Sequence, residues 1–169
     1  MPPDLSANDP DWTPLTPFWE SLGTRSFVSS DPDGDRIRVR YYADSAGHTW
    51  ARAWFGPEAE GPPGYAHGGA LAALLDEAMG MAALATGRVV VAARIEVDFR
   101  ELVPLGEAVT AELAVGEAIG KKVPVRGELR LDDGTTACEA AGLFVEIGAD
   151  GMGAAAERAG RTVHDGAGR

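Results

Sequence analysis

The sequence holds one cysteine, Cys138. No intrachain disulfide can form, and no thiolate cluster can hold a metal. The residue falls in a strand-like segment, where it is expected to act as a small buried hydrophobe. A catalytic thiol would need an activating base beside it. Basic residues are also scarce: 15 Lys and Arg against 26 Asp and Glu give a net charge of −11. A surface of that sign repels phosphate backbones, which argues against general binding to nucleic acid or anionic membranes. An anionic ligand would need a local basic cluster. Long uninterrupted apolar runs are missing too. The most apolar stretch, Ala70 to Ala85, contains Asp76 and Glu77 near its middle, so no membrane insertion is expected. The acidic, proline-rich MPPDLSANDPDW lacks the basic start and apolar block of a secretory signal, and a cytoplasmic protein is expected. No HExxH or other common metal spacing occurs. Neither a metal nor a cofactor is expected.

What is present suits one domain. The 169 residues are 45% hydrophobic, enough for a real core. Residues 1–35 read as an N-terminal extension rich in Pro, Asp and Ser, with a short helix over Thr16 to Gly23. Trp12, Phe18 and Trp19 are expected to pack onto the domain and close one end of it. Residues 36–148 form the domain. Ile37, Val39 and Tyr41 alternate with Arg36, Arg38 and Arg40 as a half-buried strand, and His48 to Phe55 is a second. After a breaker-rich loop, Gly68 to about Ala85 reads as one helix. Four strand-like segments follow: Val89 to Val103, Ala108 to Val115, Val123 to Leu131 and Thr135 to Ile147. Asp132-Asp133-Gly134 is a hairpin signal between the last two. Residues 149–169 have no apolar periodicity and read as a flexible tail. The expected class is α+β: an antiparallel sheet of five to six strands over one long helix. That helix is apolar on nearly every side, so the sheet should wrap around it, with its Ala and Gly residues allowing close approach.

The chemistry concentrates on that helix. A buried, unpaired carboxylate costs several kcal/mol by order of magnitude, so such groups are paired, protonated or functional. Asp76 and Glu77 are adjacent and point roughly 100° apart. Asp76 is read as the site residue, and Glu77 either assists it or reaches solvent. Just upstream stands His67-Gly68-Gly69. Two glycines let a substrate approach the backbone. The first N–H groups of a helix have no internal partner and feel the positive end of the helix dipole. Such donors can hold a developing oxyanion. Gly69 and Asp76 share a face but lie about 10 Å apart along the axis. One helix cannot bring both to a single carbonyl carbon, whereas antiparallel helices from two subunits can. Taken alone, His67 also fits a loop histidine bonded to the backbone. His48, at a strand start, and His164, in the tail, read as incidental.

The segment from Pro63 to Asp76 (PGYAHGGALAALLD) resembles the signature of PaaI-like hotdog-fold acyl-CoA thioesterases, especially the branch with the mammalian mitochondrial long-chain enzymes. The likeness continues through Gly87 to Ala93, Val97 to Arg100 and Val103 to Leu105, and spans roughly residues 37–147. The resemblance implies a hotdog fold and hydrolysis of acyl-CoA to free acid and CoA. Asp76 would be the general base or the nucleophile. Gly68 N–H, and His67, would polarise the thioester carbonyl from the other subunit of a homodimer or dimer of dimers. Gly69 would line the substrate. The hairpin Gly120-Lys121-Lys122 and Arg126 would meet the nucleotide, with Arg100 and Arg88 assisting; a solvated turn is the alternative for the lysines. Trp50 and Trp54 read as core or interface. Two departures stand out. Many relatives have Asn six residues before the His, where this chain has Gly61. A Ser or Thr that holds water in relatives aligns with Ala92. A non-catalytic acyl-CoA or lipid-binding protein is therefore the alternative. Hotdog hydratase chemistry comes third, because His67 follows Pro63-Gly64 rather than preceding it.

Overall fold

The structure is a computed structural model that describes residues 2–21 and 23–160; His164 and the remaining tail lie outside them. Strand β1 (Thr13–Leu15) and the short helix α1 (Phe18–Ser21) lie in the N-terminal extension. Strands β2 (Ile37–Ala43) and β3 (Thr49–Phe55) precede the long helix α2 (Gly68–Ala85). Strands β4 (Val90–Phe99), β5 (Ala108–Val115), β6 (Lys122–Leu131) and β7 (Thr136–Glu146) follow, and helix α3 (Gly148–Arg158) comes last.

All strands join one antiparallel sheet in the order β1-β2-β3-β5-β6-β7-β4. Alternation aims one side of each strand at α2. Val123, Val125, Gly127 and Leu129 are buried along β6, while Lys122, Pro124, Arg126 and Arg130 face out. Helix α2 buries Leu71, Leu74, Leu75, Ala78, Met79 and the run Met81 to Ala83, and touches β2 through β7. Room for its large side chains comes from glycines of the sheet as well as from small residues of the helix. A Cβ at Gly127 would stand 3.1 Å from Leu75, and one at Gly142 would stand 3.2 Å from the Met79 sulfur.

Three expectations change. The sheet has seven strands rather than five to six, because Thr13–Leu15 pair with Tyr41–Ala43. Three residues containing Pro14 show no strand period, and proline suits such an edge. The tail is helical over Gly148–Arg158 instead of structureless. It buries no residue completely, so periodicity could not reveal it; Ala154 to Ala156 supply helix propensity. Finally, α2 is not enclosed on every side. Gly69 and Asp76 are exposed in the single chain, and edge strand β4 leaves Val91, Ala92, Ala93 and Arg94 exposed beside them.

Trp54 is buried and Trp50 stacks on Trp12 at 4.7 Å, so both tryptophans are structural in the chain. Cys138 is fully buried on β7, and burial pushes its thiol up to about 12. The folded protein is expected to resist a thiol reagent such as DTNB at neutral pH and to take up one equivalent only on unfolding. Rapid labelling of the native protein would contradict this placement.

Candidate active site

The loop before α2 fixes the helix start. His67 N–H donates to Ala59 O at 2.7 Å, and Ala66 N–H to Val103 O at 2.9 Å. His67 is the N-cap: its backbone is extended, and its Nδ1 accepts the Gly69 N–H at 2.8 Å. An acceptor Nδ1 places the proton of a neutral imidazole on Nε2. The backbone-bonded reading of His67 therefore holds, and the Gly69 amide is already taken. Gly68 N–H has no acceptor among the described residues. Of the three residues, Gly68 alone offers a free helical amide at the positive end of α2. Gly61 packs against the same cap. A Cβ there would lie 2.8 Å from His67 Cα, so the Asn of many relatives would collide with this backbone.

Asp76 sits two turns further along α2. It accepts no hydrogen bond and forms no ion pair among the described residues. It stands at a cleft of about 270 Å³ with Phe18, Trp19, Glu77, Gly80, Leu84, Val89 to Ala92, Phe144 and Met152. Partial burial there raises the carboxyl above its ordinary 3.8, with desolvation as the cause. The sequence expectation of a carboxylate withdrawn from water is met only in part. The side chain is exposed in the single chain, on the uncovered face shared with β4. The structure does bring Ala92 to Asp76, in the same cleft.

Glu77 lines the same cleft and has partners of its own. Tyr41 Oη donates to its Oε1 at 2.7 Å, and Ser26 Oγ donates to its Oε2. Each of its oxygens accepts one hydrogen bond, and it also lines the cleft beside Asp76. It ties α2 to buried Tyr41 on β2 and to the N-terminal extension. Desolvation, then Glu77, holds the Tyr41 phenol well above its usual value, so this is a neutral donor on a carboxylate. Replacing Glu77 by Ala would strand the buried Tyr41 hydroxyl. It is expected to cost about 2 kcal/mol or more in urea unfolding, the scale of hydrogen bonds to a charged group. A loss below about half a kcal/mol would contradict the anchoring role.

The basic candidates divide. Gly120 and Lys121 lie in the β5–β6 hairpin and Lys122 opens β6. Lys122 pairs with Val145, which neighbours Val91 of the cleft across β7 and β4, so the hairpin ends at the cleft's end of the sheet. Arg126 does not join it. It lines a groove on the outer sheet face with Glu112, Glu128, Arg130 and Glu139, on the same outward face as Lys122 but four residues further along β6 from the cleft's end of the sheet. Arg88 and Arg100 are already paired, with Glu146 at 2.7 Å and Glu139 at 2.9 Å. The wider cavity between β2 and the N-terminal segment, about 490 Å³, excludes Asp76 and Gly68. Sequence reasoning missed Gly80 and Met152. A lone glycine in an apolar helix and a helix without a buried face gave no signal.

Among the described residues no group of three His, Cys, Asp or Glu could hold a metal ion. Gly68 thus offers a free helical amide, and Asp76 an unpaired carboxylate beside an apolar cleft, among the described residues. Residues 63–138 match the family described as "Thioesterase superfamily". The chain is similar to acyl-coenzyme A thioesterase THEM4 of Xenopus laevis, with 36% identity over 93 residues, 54% of this chain and 42% of that protein. Its likeness to the Bos taurus THEM4 is 34% over 93 residues, 54% of this chain and 38% of that one. The Escherichia coli PaaI protein shares the fold, with a TM-score of 0.59 at 22% identity over 66% of this chain and 80% of its own. The resemblance to PaaI-like proteins is thus borne out. The chain spans less than half the length of the two curated relatives.

Proposed function

We propose that the protein hydrolyses acyl-CoA thioesters to a free acid and CoA, at a site completed by two copies of the chain. The carrying observation is Asp76: unpaired, partly desolvated and set at the mouth of an apolar cleft. Asp76 either takes a proton from the attacking water or attacks the thioester carbon itself. The carbonyl oxygen gains charge as the tetrahedral intermediate forms, and the Gly68 N–H, with the His67 Nε2–H nearby, stabilises it. Collapse breaks the carbon–sulfur bond, and the CoA thiolate leaves and takes up a proton; where Asp76 is the nucleophile, water then cleaves the acyl–Asp76 anhydride to the free acid and restores the carboxylate. Asp76 and Gly68 are eight residues apart, about 12 Å along one helix, so the amide must come from a second copy. Edge strand β4 suits that contact. Its backbone edge is unpaired, and Val91, Phe99 and nearby Leu102 are exposed at 44%, 54% and 54%. In this reading Lys121 and Lys122, at the cleft's end of the sheet, meet the anionic nucleotide of the ligand in an otherwise acidic protein.

The second reading is binding without hydrolysis. Its support is that Ala92 offers no hydroxyl in the cleft and nothing among the described residues orients Asp76. An acyl-CoA panel with thiol release followed separates the two: turnover supports the hydrolase, and binding without release supports the carrier. The pH profile gives a further expectation. The reaction needs the ionised carboxylate, so kcat/KM should rise with pH through a value above 3.8. Activity that does not fall on acidification through that region would argue against Asp76 as the titrating group.

A further inference from the structure

We infer that Gly80 sets the length of acyl chain that the cleft accepts, against a wall built by α1 and α3; this rests on the acyl-CoA reading above. Gly80 follows Asp76 by one helical turn and lines the same cleft. Glycine in a helix interior lowers helix stability, so its presence there needs a spatial reason. That reason is visible in the packing. A Cβ at Gly80 would meet a single neighbour, Phe144 Cε1, at 3.8 Å. A side chain there would grow into open cleft instead of into backbone. The missing side chain therefore leaves room directly beyond the reacting carboxylate.

The opposite wall comes from the two extensions. Trp19 of α1 is held by its Nε1–H on Ser29 Oγ at 2.9 Å, and Ser26 of the same segment is tied to Glu77. Met152 of α3 supplies an adaptable thioether side chain. Both residues lie outside the segment 63–138 that matches the family, so the limit they impose belongs to this chain. At about 270 Å³ the cleft is at the small end of ligand pockets. The whole space is apolar past Asp76 and Glu77, as an alkyl chain requires. With so little room, one added leucine changes a large part of it.

The test uses Gly80→Ala, Gly80→Leu and Trp19→Ala with the full chain. Hydrolysis is measured on saturated acyl-CoA substrates from acetyl to palmitoyl. Binding is measured by calorimetry with S-alkyl-CoA thioethers of the same lengths, which cannot be hydrolysed. For Gly80→Leu, the ratio of long-chain to short-chain kcat/KM is expected to fall at least about tenfold, the scale set by crowding a hydrophobic pocket. Gly80→Ala should fall between it and the wild type, and Trp19→Ala should shift the ratio the other way. Loss of thioether affinity that grows with chain length in Gly80→Leu sustains the inference even if no protein releases thiol, a result that would retire the hydrolase reading alone. Identical length profiles for wild type and Gly80→Leu in both measurements would overturn the inference while leaving hydrolysis intact. Absence of any thioether binding would overturn both.

Discussion

Replacing Asp76 by Asn is expected to cut thiol release from acyl-CoA at least about hundredfold, the usual contribution of a positioned base. The amide has the carboxylate's shape but can neither accept the water proton nor attack carbon. Folding should not suffer, because Asp76 makes no hydrogen bond or ion pair within the described chain. The sign of its titration agrees. Its folded value is raised above 3.8, so the folded state favours the neutral acid. That contribution to stability is present below the unfolded value and is lost as pH rises through the folded one. At neutral pH the charge is a net cost to the fold, and the Asn variant should melt no lower than wild type. Parallel measurements of thiol release and thermal unfolding check both halves. Equal turnover in the two proteins would remove Asp76 from the chemistry, and a large drop in Tm would make it structural instead.

Replacing Gly68 by Pro should lower turnover by about 10²–10³-fold, the effect of deleting one oxyanion donor. Proline is tolerated at the first helical position, where its fixed φ suits the helix and the N–H has no internal partner. The preceding residue must then be extended, and His67 already is, at φ −66° and ψ 137°. The added ring faces the end of the Phe99 side chain, 3.3 Å from its Cζ, which is half exposed in the single chain. The substitution thus removes one hydrogen-bond donor and little else. Folded protein with unchanged turnover would show that the amide takes no part. As a control, Gly68→Ala keeps the N–H and should retain far more activity.

The fold was legible because its signals are periodic. Alternation in β2 and β6 and the apolar continuity of α2 placed those elements close to their observed bounds, while β4 ends at Phe99, four residues before the expected Val103. β1 and α3 were not legible for a common reason: neither has a buried face that would impress a period on the sequence. At the site, the separation of Gly69 and Asp76 along α2 followed from helix geometry alone. The exposure of Asp76 did not, since it depends on which face of α2 the sheet leaves uncovered. The engagement of Glu77 by Tyr41 and Ser26 was hidden because those residues are 36 and 51 positions away. The separation of Arg126 from Lys122 was hidden for a simpler reason, as their four-residue spacing along β6 takes Arg126 into a different groove.

The shared site can be tested most directly by mixing two disabled chains. Asp76→Asn and Gly68→Pro, each nearly inactive alone, would be unfolded together in equal amounts and refolded. In a symmetric dimer, hybrids would carry one intact site, formed by Asp76 of the Gly68→Pro chain and Gly68 of the Asp76→Asn chain. Thiol release should then recover to about a quarter of wild type per chain, since half of the dimers are hybrids with one good site each. Recovery of nothing above the separately refolded variants, with hybrid dimers demonstrably present, would contradict a carbonyl held between two helices.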